Sequence, residues 1–384
     1  MNGVKPLYNN VISKIILEKL VSQRVVFHID FDYFYAQCEE LRNPELKTKP
    51  VVVCVFSDRG GDSGAIATAN YIARRYGVKS GMPIKFAKRK LEDIPEATFL
   101  PTDFDYYSEV SENVMNLIRK YADVFEYIGR DEAYLDVTKR TEGNFAKAAH
   151  LAQQLKNSIR SNTKLSSSIG VSTNKLVSKI SSNFKKPDGL TIVEPDKIES
   201  FLDSLPIKVI PGIGNKSEEK FHEMGLQTIA DLKRIDVFSL NSLFGRKIGT
   251  YIYNAVRGID DDPVSPRAEP IQYSRIITLK QDTKDFEFLS RDLEQLCTDI
   301  HEAIVRDNLV FKSVGIQFVQ EDLSNRTKSR TLRNPTSSLE ELKKTALQLL
   351  KESSEDQKLL IRRLGVKVSD FSEVVGQVDI TRFF

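Results

Sequence analysis

An apolar strand that runs straight into acid is the feature that most restricts what this chain can fold into. Val25 to Ile29 is a continuous apolar run rich in β-branched residues, and Asp30-Phe31-Asp32-Tyr33-Phe34-Tyr35 follows it directly. A second acidic set, Arg130-Asp131-Glu132-Ala133-Tyr134-Leu135-Asp136, abuts another strand-like stretch, Tyr134 to Val137. Runs of this kind belong in the interior of a sheet. Carboxylates at the end of such a strand cost folding energy unless a cation pairs them. Magnesium suits the position because it prefers carboxylate and phosphate oxygens to an all-protein cage. Two such ions, about 3.5–4 Å apart, activate an attacking oxygen and stabilise a leaving one. On spacing alone, acidic pairs also arise by chance, and both readings stand at this point.

With 384 residues the chain exceeds a single hydrophobic core, so roughly two to four packed units are expected. Its 40% apolar and 28% charged residues describe a globular protein. The longest apolar runs, such as Val51 to Phe56, are too short to cross a bilayer, and Met1 to Gln23 lacks the core and cleavage site of a secretory signal. A cytoplasmic protein without a membrane partner is expected. Cys38, Cys54 and Cys297 are scattered and odd in number, and the four histidines do not cluster with them, which argues against disulfide and zinc scaffolds. A net charge of +3 does not announce nucleic-acid binding by itself. Locally, Arg74 to Lys90 carries seven basic residues and no acid, and Lys312 to Arg333 five against two. Each such run alone reads as a solvated face.

The periodicity predicts an amphipathic helix over Val11 to Val21, strands at Val25 to Ile29 and Val51 to Phe56 each followed by a helical pattern, helices at Ser108 to Tyr121 and Phe145 to Ser161, and a strand at Ser166 to Val171. After Glu194 short helices punctuated by Pro211, Gly212, Gly214, Gly225 and Gly245 replace this alternation, placing a boundary near Val193. Asp260 to Pro270, with three aspartates and three prolines, reads as a linker. Beyond it, strands at Tyr273 to Leu279, Ser313 to Val319 and Leu364 to Val368 alternate with helices at Leu289 to Asp307 and Ser338 to Lys351. The expected fold class is a multidomain α+β protein.

Asp-Phe-Asp-Tyr-Phe-Tyr at 30–35 resembles the opening motif of the Y-family, the translesion DNA polymerases, and Asp-Glu-Ala-Tyr-Leu-Asp at 131–136 resembles their second catalytic motif. The resemblance runs from Val25 to Phe384 and is nearest to the archaeal and bacterial DinB, or DNA polymerase IV, branch. It implies a right-hand polymerase: an N-terminal extension at 1–23, a palm at 24–33 and 102–193, fingers at 34–101, a thumb with a helix-hairpin-helix at 194–260, a linker at 261–270, a little finger at 271–370 and a tail at 377–384. By the same likeness Asp30, Asp131 and Glu132 are catalytic and, with the Phe31 carbonyl, hold two Mg2+, while Asp32 is structural. Tyr35 occupies the position of the steric gate against ribonucleotides, and Ala65 and Gly81 that of the small residues roofing the nascent pair. Gly129 and Arg130 depart from the family pattern of serine and an aliphatic residue; the arginine either tunes the neighbouring acids or points away.

Tyr71 and Arg74, three apart, share one face of a helix, and an arginine fork beside a phenol suits a triphosphate. Alone they are an ordinary surface pair; the resemblance assigns them, with Lys186 and Tyr33, to the dNTP phosphates. Gly60, Gly61 and Gly64 lack the Gly-Lys-Ser/Thr ending of a P-loop and read as a flexible turn. Pro211-Gly212-Ile213-Gly214 leads into Asn215-Lys216-Ser217-Glu218, a tight turn followed by an expected N-cap at Asn215. Backbone N–H groups there can meet a DNA phosphate, with Gly212, Gly214 and Lys216 as contacts. Asn325 to Arg333 alternates cations with small polar residues, so Arg326, Lys328, Arg330 and Arg333 are candidates to track a DNA backbone, and a charged sheet edge is the competing account. At the end of the chain, Gln377, Ile380, Phe383 and Phe384 resemble a sliding-clamp binding motif.

Together these readings predict a monomeric, template-directed translesion DNA polymerase that adds dNTPs to a primer on template DNA, without proofreading and tethered to a clamp. A catalytically silent clamp-tethered DNA-binding protein and a metal-dependent nuclease are the alternatives.

Overall fold

The computed structural model describes residues 23–266, 270–354 and 359–373. The expected N-terminal helix and the tail from Gln377 to Phe384 lie outside the described residues. The chain opens with β1 (Val26–Phe31), almost wholly buried, and α1 (Phe34–Arg42). β2 (Val51–Phe56) has its expected limits, but a further strand, β3 (Gly64–Ala69), precedes the short helix α2 (Tyr71–Arg75). Where a helix was expected after β2, small residues form this strand, and they leave no apolar run to mark it.

β4 (Thr98–Pro101), α3 (Phe104–Arg119), β5 (Val124–Gly129), β6 (Glu132–Asp136), α4 (Phe145–Thr163), β7 (Ser167–Ser172), α5 (Lys175–Phe184) and β8 (Leu190–Ile192) follow. Five strands form one sheet in the order β5-β6-β1-β7-β8, antiparallel except for β7 with β8. Phe27, Ile29, Leu135 and Ile169 share a core with Val114 and Ile118 of α3 and Leu155 and Ile159 of α4. The opposite face takes α5 at very short range. A Cβ on Gly170 would fall 1.9 Å from the Ser178 carbonyl oxygen, so only glycine allows this approach. It carries Lys179, Ser182 and, just after the helix, Lys186 over β1.

A helical region follows, including α6 (Asn215–Glu223), α7 (Val237–Phe244) and α8 (Arg246–Ala255). Its core of Leu202, Ile213, Phe221, Leu240 and Ile252 also contains Val177 and Ile180 of α5 and Val193 itself. Packing therefore continues across the boundary expected near Val193. The linker is docked: Val264 packs with Val26 and Tyr134, and the Ser265 N–H donates to Glu126 at 3.0 Å.

β9 (Gln272–Thr283), α9 (Phe286–Arg306), β10 (Leu309–Gln320), β11 (Asn325–Thr336), α10 (Leu339–Ser354) and β12 (Ile361–Ser369) realise every element expected after the linker. Their strands run β11-β10-β12-β9, all antiparallel. Leu293, Leu296 and Ile300 of α9 and Leu349 of α10 share a core with Val314, Ile316 and Phe318 of β10 and Leu364 and Val366 of β12. By packing, the chain divides into two units. Of the described residues, one unit holds those up to Val53, Ala67–Gly81 and the stretch from Lys90 to the linker; the other holds Cys54–Ile66, Met82–Arg89 and those beyond the linker. The segment 34–101 contributes to both.

Candidate active site

Strand register assembles the acids. Asp30 stands directly opposite Glu132 on β6 and Ser168 on β7, so the two carboxylates share a face. The Phe31 N–H donates to the Asp131 carbonyl at 2.8 Å, which fixes the third acid at the same end of the sheet.

Their charges are held differently. Burial, partly offset by the ion pair with Lys186, pushes the Asp30 carboxyl above its usual range. Asp131 opens to the surface, yet protein atoms crowd it, and loss of water followed by the Glu132 charge raises it too. Glu132 moves the other way, to about 2, because His28 hydrogen-bonds its Oε2 at 3.2 Å and Lys179 pairs with the same oxygen. His28 is fully buried, and that burial holds its imidazole below the ordinary value. The three carboxylates stand among Lys179, Lys186 and Arg74. Among the described residues, no three His, Cys, Asp or Glu side chains enclose a metal on their own. The donor set fits magnesium, whose other ligands are water and substrate phosphate.

Asp32, one residue past the end of β1, is fully buried and saturated by other partners. It accepts from the hydroxyls of Ser166 at 2.9 Å and Ser168 at 2.8 Å and from the Asp188 N–H at 2.8 Å, which is the structural role expected for it. Arg130 turns away from the acids: its Nε donates to Ser108 Oγ at 2.9 Å, and its guanidinium lies 5.2 Å from the Phe104 ring centroid.

Aromatic residues wall the site. Tyr33 sits at φ 38° and ψ 46°, a left-handed conformation rare for a bulky side chain, and its hydroxyl donates to Glu40 at 3.4 Å. Tyr35 stacks on Tyr107 with ring centroids 4.6 Å apart and 15° between planes, and the Tyr107 hydroxyl is pinned to Glu39 at 2.6 Å. Asn70 caps α2, accepting from the Ala73 N–H at 3.0 Å, and so sets the direction of Tyr71 and Arg74. The Tyr71 ring lies edge-on to Tyr33 at 5.2 Å, with the Arg74 guanidinium 4.9 Å from its centroid. Its hydroxyl is buried without a hydrogen-bond partner among the described residues, and burial pushes its pKa up to about 12. Arg74 Nε donates to the Ala69 carbonyl at 2.8 Å.

One cleft of about 210 Å3 is lined by Asp30, Phe31, Tyr33, Tyr35, Arg74, Asp131 and Lys186, together with Phe34, Ala67, Thr68 and Ser80. Sequence reasoning missed Thr68 and Ser80, which carry no local signal, and His28 and Lys179, whose link to Glu132 spans distant parts of the chain. Ala65 lies on β3 and is exposed.

In the helical region, Gly212 has φ 87° and its turn precedes α6. Gly214 is the N-cap, whereas Asn215, expected there, is the first helical residue, because the Gly214 carbonyl already accepts from Ser217 and Glu218. Asn215 instead accepts from Lys208 at 3.0 Å. Gly214 and Lys216 are exposed at the helix N-terminus.

The cationic strand needs a correction. Arg326, Lys328 and Arg330 pair in register with core residues Phe318, Ile316 and Val314, so they share the side covered by helices. Lys328 and Arg330 pair with Glu352 of α10 at 3.0 and 2.6 Å. Strand alternation puts Arg333 on the opposite face, with Lys367 and Arg363 of β12.

A sheet with acids at one end, a helical region with a Gly-rich turn and a C-terminal α+β domain make up a multidomain α+β protein with a candidate metal site. Residues 29–183 match the impB/mucB/samB family, 270–381 the C-terminal domain of that family, and 208–260 the thumb domain of DNA polymerase iota. DNA polymerase IV of Nitrosopumilus maritimus is 68% identical over 361 residues, covering 94% of this chain and 99% of the relative. DNA polymerase IV of Saccharolobus solfataricus is 35% identical over 94% of this chain and 99% of its own length. A Y-family polymerase chimera of Dbh and Dpo4 superposes with a TM-score of 0.84 at 35% identity, covering 91% of this chain and 99% of its own. An insertion ternary complex of Dbh DNA polymerase gives 0.65, also at 35% identity, over 90% and 98%. The chain belongs to the Y family of DNA polymerases, in its DNA polymerase IV (DinB) branch, and is a DNA-directed DNA polymerase of the translesion type.

Proposed function

We propose that this polymerase extends a primer 3′-OH by nucleotidyl transfer in the cleft between β1, α2 and Lys186. Asp30, Asp131, Glu132 and the Phe31 carbonyl would hold two Mg2+. The observation that carries the reading is the convergence of Asp30, Asp131, Tyr35, Arg74 and Lys186 on one small cleft from separate stretches of chain. When bound, the metals supply Lewis acidity and a more easily deprotonated primer hydroxyl.

The chain's own residues bind and orient. Tyr71 presents a buried hydroxyl that nothing in the described residues satisfies, and a triphosphate oxygen would accept its hydrogen bond. Arg74, with Nε fixed by Ala69, aims its remaining guanidinium nitrogens at phosphate. Lys186 would exchange Asp30 for the triphosphate, and Tyr33 flanks it. Tyr35, held flat on Tyr107, forms a rigid floor that a ribose 2′-OH would strike.

By likeness to the Dbh complex, primer-template DNA and dNTPs are the partners. Gly212, Gly214 and Lys216 would meet a DNA phosphate at the α6 N-terminus, where aligned N–H groups favour an anion. Arg333, with Lys367 and Arg363, would track the backbone from the open face of the second sheet; Arg326, Lys328 and Arg330 would add longer-range charge. We further assign the palm, fingers, thumb and little-finger limits given above, a monomeric state, absence of proofreading and a clamp contact through Gln377, Ile380, Phe383 and Phe384.

Primer extension with dNTPs and Mg2+ tests the proposal. Extension by the parent, and its loss in Asp131→Ala with DNA affinity kept, is the expected result. DNA binding without incorporation by the parent would instead mark a silent DNA-binding protein, and strand scission without dNTPs a nuclease.

A further inference from the structure

Glu132 is the one acid of the three whose side chain is gripped by a rigid, fully buried group. His28 lies on β1 two residues before Asp30, has no exposed surface, and reaches Glu132 Oε2 with Nε2 at 3.2 Å. Its other nitrogen, Nδ1, is 2.8 Å from Ser182 Oγ on α5, and its ring lies against Tyr134 with centroids 4.7 Å apart. A carboxylate can only accept, so Nε2 donates to Glu132; Ser182 Oγ lies 2.8 Å from both Nδ1 and the Lys179 carbonyl, and its one proton is shared between these two acceptors. The approach of α5 that Gly170 permits brings Ser182 within this distance. Lys179 touches the same oxygen, but it is a flexible, partly exposed side chain and cannot fix an orientation as the buried ring does.

We propose that His28, braced by Ser182, is a positioning residue that orients the Glu132 carboxylate for metal binding. It acts through Glu132 and touches no substrate. The inference rests on the assignment of Asp30, Asp131 and Glu132 as metal ligands. Partners of this kind that orient a ligand typically change metal affinity by about 10- to 100-fold when removed.

The test titrates Mn2+ into the full-length protein bound to primer-template DNA, read by the electron paramagnetic resonance signal of free Mn2+, beside the Mg2+ dependence of single-turnover extension. His28→Leu keeps the bulk and removes the donor. It is expected to weaken Mn2+ binding by about 10-fold or more and to raise the half-saturating Mg2+ in parallel, with DNA affinity unchanged. His28→Gln, which restores a donor, should recover most of the loss. Should His28→Leu fail to fold, Ser182→Ala removes the brace, together with a hydroxyl bond to the Lys179 carbonyl, and is expected to move both readouts in the same direction by a smaller factor. Parent-like Mn2+ affinity in folded His28→Leu, or in Ser182→Ala when His28→Leu does not fold, overturns the proposal. Asp131→Ala separates the premise from the inference: if it binds Mn2+ as the parent does, the ligand assignment fails, whereas lost binding there with parent-like His28→Leu refutes the role of His28 alone.

Discussion

Tyr35 owes its proposed task to its neighbours. The ring is stacked on Tyr107, Tyr107 is anchored to Glu39, and Phe104 closes the edge with its centroid 6.0 Å from Tyr35, so the floor of the cleft cannot yield to an extra hydroxyl. Tyr35→Ala should lower the preference for dNTPs over rNTPs by roughly 10- to 100-fold, measured as the ratio of kcat/KM values; an unchanged ratio refutes the gate. Asp131 is governed by electrostatics. Its folded pKa is raised, so ionisation favours the unfolded chain: the associated stability is intact below the unfolded pKa and is lost as pH climbs through the folded one. In EDTA, Asp131→Asn should therefore be more stable than the parent at neutral pH, by less than about 1 kcal/mol because water screens an acid this exposed. The difference should vanish at low pH. Thermal melts across pH check this, and a destabilised variant at pH 7 contradicts it. Asp30-Phe31-Asp32 showed that acid belongs at the end of β1, but not which of the two aspartates enters the cleft. Alternation alone would put both on one face; β1 ends at Phe31, and the three donors that bind Asp32 hold it out of the cleft.

At the scale of elements, the second sheet shows how a pattern can be right and its face wrong. Asn325 to Arg333 read as a cationic strand, and it is one, but period-two alternation says only that every second side chain shares a face. Leu332, packed with the core, identifies the helix-covered side as that of Arg326, Lys328 and Arg330. Arg333→Ala should accordingly weaken DNA binding and lower the slope of log affinity against log salt by about 1, while Arg330→Ala, already paired with Glu352, should change both less. Equal effects from the two variants would show that the pairing with Glu352 does not survive DNA binding. The Gly-rich turn before α6 was legible because Gly212 needs a positive φ; the cap moved from Asn215 to Gly214 since both are permitted caps and only the backbone path selects one. β3 stayed hidden because small residues carry no period.

For the whole molecule, the two ends of the chain's task are far apart in sequence: nucleotide chemistry near β1 and the proposed tether at Gln377 to Phe384. Deleting 377–384 should leave clamp-free extension unchanged and remove stimulation by a sliding clamp, which through effective concentration alone amounts to about 10²–10⁴-fold. Persisting stimulation would assign the clamp contact elsewhere. Asp30, Asp131, Glu132, Tyr35, Tyr71, Arg74 and Lys186 were candidates from the sequence through the likeness of its motifs to the Y family, since spacing alone left them ambiguous; the structure brings Asp30, Asp131, Tyr35, Arg74 and Lys186 onto one cleft. The change of texture after Glu194 and the Asp- and Pro-rich stretch from Asp260 to Pro270 signalled the helical region and the α+β unit after it. What only the tertiary structure decided are relations between residues that sequence separates. It placed Asp30 opposite Glu132, turned Arg130 onto α3, seated His28 and Lys179 on Glu132, and left the Tyr71 hydroxyl without a partner among the described residues. Each of these depends on strand register and on how closely one element packs on another, and such distances are set by the sum of contacts over the fold, which no short stretch of sequence contains.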